Sequence, residues 1–203
     1  LEKSEPNAVW MIKDSHLTGN NCAVFSNSRS SNGLAVNDGA VMTANTVCSA
    51  GGVEQSGTIS PPPVMDCPQF EDPLASRAEP TIGACDYNGM TLKDQTVTLK
   101  PGVYCGGLRI SGDGDVKLEP GVYIIADGAL WVDGDAELSG DDISFFLGPK
   151  AFLFFGPSTS IELSASKTGP LAGLLLFGSR KQSKILTHTI LSKSAQNLVG
   201  TIY

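Results

Sequence analysis

Aspartate is the residue through which this sequence could do chemistry, and it recurs at regular distances. Asp141 and Asp142 form an adjacent carboxylate pair, while Asp113 and Asp115, then Asp133 and Asp135, fall in Gly-containing turns about 20 residues apart. Cleaving a glycosidic bond takes two carboxylates flanking it, one as acid and one as base or nucleophile. Adjacent strand residues point to opposite faces, so Asp141 and Asp142 can cooperate only where a turn reorients them. A lyase would want a basic group beside bound calcium, and Arg109 and Lys117 are the local candidates. The simpler reading is that tight turns favour Asp, whose side chain bonds the nearby backbone and tolerates left-handed conformations. No catalytic residue is expected. The same turns could gather oxygens around Ca²⁺, which takes roughly six to eight. Their spacing matches neither the EF-hand loop nor the calcium-binding nonapeptide, so no cofactor or metal is expected beyond that possible ion.

Cysteine is the second reactive type. Cys22, Cys48, Cys67, Cys85 and Cys105 are separated by 26, 19, 18 and 20 residues. None forms a CxxC pair and the two histidines are His16 and His188, so a zinc site is not expected. Evenly spread cysteines in a loop-rich chain read as disulfides and as an oxidising compartment.

The elements that must position these residues follow from a repeat. Val97–Tyr104 and Val116–Tyr123 share the corner Pro-Gly-Val-Tyr, and weaker copies start at Ala136 and Ile161, giving starts 19, 20 and 25 residues apart. The first two continue into Leu108-Arg109-Ile110 and Leu130-Trp131-Val132. In 203 residues with 23 Gly, 12 Pro and 41% hydrophobic residues, short strands joined by Gly turns describe a parallel β-solenoid. Right-handed coiling is expected from the general preference of parallel crossovers. A β-sandwich is the structural competitor, but it does not require matching Pro-Gly-Val-Tyr tetrapeptides nineteen residues apart. Period-two alternation then predicts Val97, Leu99, Val103, Leu108 and Ile110 inward in one coil. Val116, Leu118, Val122, Ile124, Leu130 and Val132 follow in the next, and Ala136, Leu138, Ile143 and Phe145 in a third. Leu99, Leu118, Leu138 and Leu163 should form one ladder. Pectin-degrading solenoids use a His near their aspartates, and none lies between His16 and His188 here.

Residues 1–203 are read as a single solenoid domain, with regular coils over 97–203 and a Pro-rich excursion over 53–96. That stretch holds Pro61, Pro62, Pro63, Pro68, Pro73 and Pro80, and Pro cannot donate to an interior ladder. A Cys48–Cys67 bridge would pin its first half and Cys85–Cys105 would tie its end to the first regular coil, leaving Cys22 as a buried thiol. Pairing Cys22 with Cys48 is the main alternative.

The outward positions suggest where a partner would sit. Thr98, Lys117, Glu137 and Glu162 make a charged, solvated column, unlike the Thr rows that ice binding wants. After the Pro-Gly-Val-Tyr corner, the column reads Tyr104, Tyr123, Ser144 and Leu175, with Ile125, Phe146 and Phe177 two positions on. Strands apolar on both faces must be covered. The excursion or residues 9–12 are the expected cover; otherwise Tyr104, Tyr123, Ile125, Phe146, Leu175 and Phe177 are an interaction face. Trp131 and Leu153 fall on a separate outward column. A net charge of −7 argues against nucleic acid as a partner, and no apolar run approaches membrane-spanning length.

Several segments, in order, carry a resemblance. They are Val24–Ser28, Asp66-Cys67-Pro68, Glu71–Ala75, Pro101–Gly107, Pro120–Tyr123 and Gly169–Gly173. Together they resemble the extracytoplasmic region of TadG-like proteins of the Flp (tight-adherence, Tad) pilus-assembly systems. The resemblance implies a membrane-tethered bacterial envelope protein, periplasmic or surface-exposed, with pilus or pilus-assembly proteins as partners. A host surface or a glycan is a further expected partner. It carries over no catalytic residue. Family members have an N-terminal hydrophobic anchor, which these residues lack, so membrane contact is expected only through such a segment outside them. The runner-up function is a carbohydrate-binding or carbohydrate-active module of the same shape.

Overall fold

Alternating apolar residues broken by Gly and Asp turns yield short strands, and those strands stack in parallel. A computed structural model describes residues 3–181, 186–192 and 194–203, and among these there is no helix. The chain divides into two compact units, Leu1–Ser76 and Arg77–Tyr203.

The first unit contains β1 (Val9–Met11), β2 (His16–Ser26), β3 (Leu34–Val36), β4 (Val41–Ser49), β5 (Val53–Gln55) and β6 (Thr58–Ser60). They form two parallel sheets, β1-β3-β5 and β2-β4-β6, so each successive strand pair is one coil of a solenoid. Val9, Leu34 and Val53 lie in register, as do Met11, Val36 and Gln55. Leu34, Val36, Met42, Val47 and Ile59 fill the interior.

The second unit continues the same grammar with longer coils. Its strands are β7 (Tyr87–Lys93), β8 (Thr96–Leu99), β9 (Gly102–Ser111), β10 (Asp115–Leu118), β11 (Gly121–Val132) and β12 (Glu137–Phe155). They continue as β13 (Ser160–Ala165), β14 (Leu174–Gly178), β15 (Thr189–Ile190), β16 (Ser194–Val199) and β17 (Thr201–Ile202). β12 runs round most of a coil by itself, pairing β10 and β11 on one side and β13, β14 and β15 on the other. The expected parallel β-solenoid is therefore what forms.

Inside, side chains stack in columns. Leu92, Ile110, Val132 and Phe155 make one, and Met90, Leu108, Leu130 and Leu153 another. Leu153, expected outward, is thus core. The expected leucine ladder holds for Leu99 and Leu118 and then slips. Leu138 pairs with Val116 and Ile161, while Leu163 faces Gly140. All four leucines are buried, but in two columns instead of one. Gly140 explains the slip: a Cβ there would come within 2.9 Å of both Leu118 Cβ and Ile143 Cγ1. Glu137 likewise stands beside Asp115 and Ser160, and Ser139 takes the place expected for it between Lys117 and Glu162.

A second difference comes at the Pro-Gly corner. Gly102 and Gly121 adopt φ of 156° and 146°, which breaks the alternation carried over from β8 and β10. Tyr104, Tyr123 and Ile125 consequently point into the core, while Val122 and Ile124, expected inward, are only half-buried. Val103 shares the column of Ile124, Phe146 and Phe177 outside the main core cluster. Only glycine fits at Gly121, where a Cβ would sit 2.7 Å from Pro101 Cγ.

The Pro-rich excursion is also shorter than residues 53–96. β5 and β6 occupy its start and β7 its end, so the irregular part lies between Ser60 and Tyr87. The Cys48–Cys67 and Cys85–Cys105 bridges form as expected, one within each unit.

Burial predicts how substitutions behave. Leu118→Ala should lower stability by about 2–5 kcal/mol in urea unfolding. Gly140→Ala should cost about 1–3 kcal/mol through overpacking against Leu118. An unchanged midpoint for Leu118→Ala would contradict the stacked-column core.

Candidate interaction face

Each coil lays its outward side chains above those of the previous one, so a surface site here is a column. The column proposed from sequence is not a surface. Tyr104, Tyr123, Ile125, Leu175 and Phe177 are 0% exposed and Phe146 1%. The two tyrosines stack within the core: Tyr87 on Tyr104 at 4.5 Å, Tyr104 on Tyr123 at 5.9 Å and Tyr123 on Phe145 at 5.4 Å between ring centroids. Their hydroxyls find the carbonyls of the corners. Tyr104 donates to Lys100 O at 2.6 Å, and Tyr123 reaches Leu99 O and Glu119 O, both at 2.8 Å. Burial, as the main cause, pushes both phenols well above their ordinary pKa of 10.

Phe146 and Phe177 do point away from the core, and contacts within the second unit close over them. Their rings meet edge to face at 5.6 Å. Arg180 lies 5.0 Å over Phe177 and 5.0 Å over Tyr203. The end of the Pro-rich segment holds it there. Glu79 accepts from Arg180 N–H at 2.8 Å and from Ser179 Oγ at 3.0 Å, while Arg180 donates to Arg77 O at 3.1 Å. Arg77 itself donates to Pro170 O at 2.6 Å. The cover is intrachain.

What remains accessible is the column through Thr91, Arg109, Trp131 and Phe154. Trp131 and Phe154 stack at 3.9 Å, and the Arg109 guanidinium lies 5.2 Å over the indole. Asp133 Oδ2 ties the group together, accepting from Arg109 at 2.7 Å and from Trp131 Nε1 at 2.7 Å. Beside it runs a shallow groove of about 220 Å³ whose floor includes Gly89, Gly106 and Gly107. Both faces of the indole are occupied, so the ledge offers ring edges, a guanidinium with free donors and bare backbone. Such a surface suits polar and apolar contact with a polypeptide better than stacking of a sugar ring. Trp131 was legible from sequence as outward-facing; its partners Phe154 and Asp133 required the register.

The first unit holds a separate apolar cleft of about 370 Å³ lined by Val9, Phe25, Phe70 and Pro73. Phe25 and Phe70 meet edge to face at 4.7 Å, and Asn27 fixes the second ring's backbone from both sides: Asn27 Nδ2 donates to Phe70 O and Phe70 N–H to Asn27 Oδ1. Neither ring was picked out from sequence as exposed.

The aspartates serve the coils. Asp86 accepts from Val103 N–H at 2.8 Å, Asp94 from Asp113 N–H at 3.0 Å and Asp127 from Gly106 N–H, each bridging neighbouring coils. Asp142, at φ 57°, accepts from Lys167 N–H at 3.1 Å, and Asp141 accepts from Ser164 Oγ at 2.6 Å. Asp113, Asp115, Asp133 and Asp135 do not converge, and no metal-binding cluster of His, Cys, Asp and Glu occurs among the described residues. His16 is exposed on β2. Cys22, expected buried, is an exposed free thiol because β2 bulges between Gly19 and Ala23, with Asn21 left-handed at φ 57°.

Fold and surface thus define a disulfide-pinned parallel β-solenoid with one aromatic–arginine ledge in its second unit. No protein-family model matches the chain, and neither does any curated protein or solved structure. No helix among the described residues is long and apolar enough to cross a membrane.

Three measurements check this chemistry. Thiol titration of the native protein should find one sulfhydryl, reactive without denaturant and lost in Cys22→Ser. Removing either bridge should cost roughly 3 kcal/mol, because each closes a loop of about 20 residues. In alkaline spectrophotometric titration, Tyr104 and Tyr123 should stay protonated at pH values where free tyrosine ionises. Their raised values make folding stability fall as the pH rises above about 10, where the unfolded phenols ionise first. Ionisation of both near that pH with the fold intact would contradict their burial.

Proposed function

We propose that this chain is a noncatalytic extracytoplasmic domain of a Tad/Flp pilus-assembly protein, contributing to pilus assembly, anchoring or adhesion through protein contacts. The observation that carries the noncatalytic part is the use made of the carboxylates. Asp86, Asp94, Asp127 and Asp142 accept backbone N–H groups, and Asp133 is shared by Arg109 and Trp131. Side chains spent this way stabilise coils. Two disulfides suit an oxidising compartment outside the cytoplasm. Of the segments behind the family resemblance, Asp66–Pro68 and Glu71–Ala75 fall in the irregular stretch, and Pro101-Gly102 and Pro120-Gly121 at corners.

The Arg109–Trp131–Phe154 ledge is the surface we assign to partner contact. A glycan is the second reading, favoured by the half-buried Trp131 beside Arg109 and a glycine-floored groove. Arg109 is 51% exposed at the side chain, so Arg109→Glu should leave folding almost unchanged, the lost surface ion pair being worth under about 1 kcal/mol. Introduced at the native locus, that variant should reduce pilus display or adhesion while circular dichroism stays that of the parent. Unaltered display and adhesion would remove the ledge from the proposal. Deleting residues 1–203 without effect on either would remove the pilus role, and binding on a glycan array would favour the carbohydrate reading.

A further inference from the structure

β15 is a strand of two residues, Thr189–Ile190. It pairs with β12 at Phe154–Thr189 and Phe155–Ile190, and Leu191 N–H adds a bond to Phe155 O at 2.8 Å. One step earlier the ladder would call for an acceptor for Leu153 N–H. A side chain supplies it: Leu153 N–H donates to His188 Nδ1 at 3.2 Å. Leu153 is 3% exposed, so without that nitrogen its amide would be left unpartnered in the coil wall. Nδ1 has a lone pair to offer only in the neutral ring whose proton sits on Nε2.

We propose that His188 is a proton-sensitive latch, its neutral imidazole holding β15 on β12 and its protonation releasing that strand. The bond cannot survive protonation, since Nδ1 then carries a proton of its own facing Leu153 N–H. Thr189 adjoins Phe154 and Ile190 adjoins Phe155, so release bares the end of the Trp131–Phe154 stack. The latch does not depend on the pilus reading.

Among the described residues, no charged side chain bonds the ring. β12, the strand β15 packs against, carries Glu137, Asp141, Asp142 and Lys150. Glu137 is registered with Ser160, Asp141 and Asp142 are bonded to Ser164 and Lys167, and exposed Lys150 lies opposite Asp127. Asp133 is taken by Arg109 and Trp131, and Lys181 stands earlier on His188's own segment. Although His188 is exposed as a whole residue, its ring loses hydration against the coil, and this burial alone lowers its pKa from 6.5. The sign is then fixed: the bond is fully present above that ordinary value and is lost as the pH falls below it.

Amide hydrogen exchange resolved by residue tests the latch on the native chain, at about pH 8 and about pH 4.5, on either side of histidine titration. Leu153 protection, corrected for intrinsic exchange, should fall roughly tenfold in acid, the loss expected for one hydrogen bond, while Leu118 stays protected. His188→Asn offers a carbonyl acceptor that does not titrate, and should keep Leu153 protected at both pH values. His188→Ala should lose that protection at both. The proposal is overturned by pH-independent protection of Leu153 in the parent, by an equal acid loss in His188→Asn, or by a loss that Leu118 shares.

Discussion

Everything in this molecule depends on the parallel ladder between one coil and the next. A single coil cannot bury its own apolar row; it does so only against coils above and below, about 4.8 Å away. That spacing decides which side chains can be neighbours. Residues in register become contacts whatever their separation in sequence, which is why Leu92, Ile110, Val132 and Phe155 form one column. It also decides which polar groups must be provided for, because each corner interrupts the ladder and leaves amides and carbonyls to be matched.

The corners show how that need is met. The Pro-Gly turn turns a tyrosine inward, and the tyrosine hydroxyl returns to the corner carbonyls, as Tyr123 does with Leu99 and Glu119. Aspartates serve the amide side, reaching across to the neighbouring coil. A buried phenol would be costly without a partner, and for Tyr104 and Tyr123 the partner is a backbone carbonyl at the corner. Of the aspartates that attract attention as possible acids and bases, Asp133, Asp141 and Asp142 are held by hydrogen bonds of this structural kind. Disulfides act at the two ends of the proline-rich segment, whose prolines cannot donate to a ladder.

The fold was legible because repetition is visible without coordinates: Pro-Gly-Val-Tyr recurs, and alternation marks the strands between. Both bridges were legible too, from where the cysteines fall relative to the irregular stretch. Register and parity were not. Aligning Leu118 with Leu138 is natural by similarity, yet Gly140 leaves no room for a side chain and moves the pairing to Val116 and Leu138. Carrying alternation through Pro101-Gly102 is natural by counting, yet the unusual φ of that glycine resets the count and sends Tyr104 inward. Tyr104, Tyr123 and Ile125 left the expected outward column for that reason, whereas Phe146 and Phe177 stayed outward beneath the expected intrachain cover. The column that stays accessible lies on a limb where alternation is unbroken, from Arg109 through Trp131 to Phe154.

That limb differs from the others in how its outward residues are satisfied. On the sheet containing β8, β10 and β13 the outward columns are hydrophilic and need no cover, as with Thr98, Lys117, Ser139 and Glu162. Over β14 the outward rings are apolar and the chain covers them with Arg180, Glu79 and Arg77. The Trp131 column is neither. Its rings stack on one another and on Arg109, which removes their faces from water but leaves their edges and the guanidinium exposed. A solenoid gains stability from such a stack without any partner, so aromatic character alone is weak evidence of binding. The stronger evidence is that Asp133 neutralises Arg109 while also fixing the indole, giving a rigid, charge-balanced ledge. Rigidity of that kind lowers the ordering cost of association, because these side chains are already held before a partner arrives.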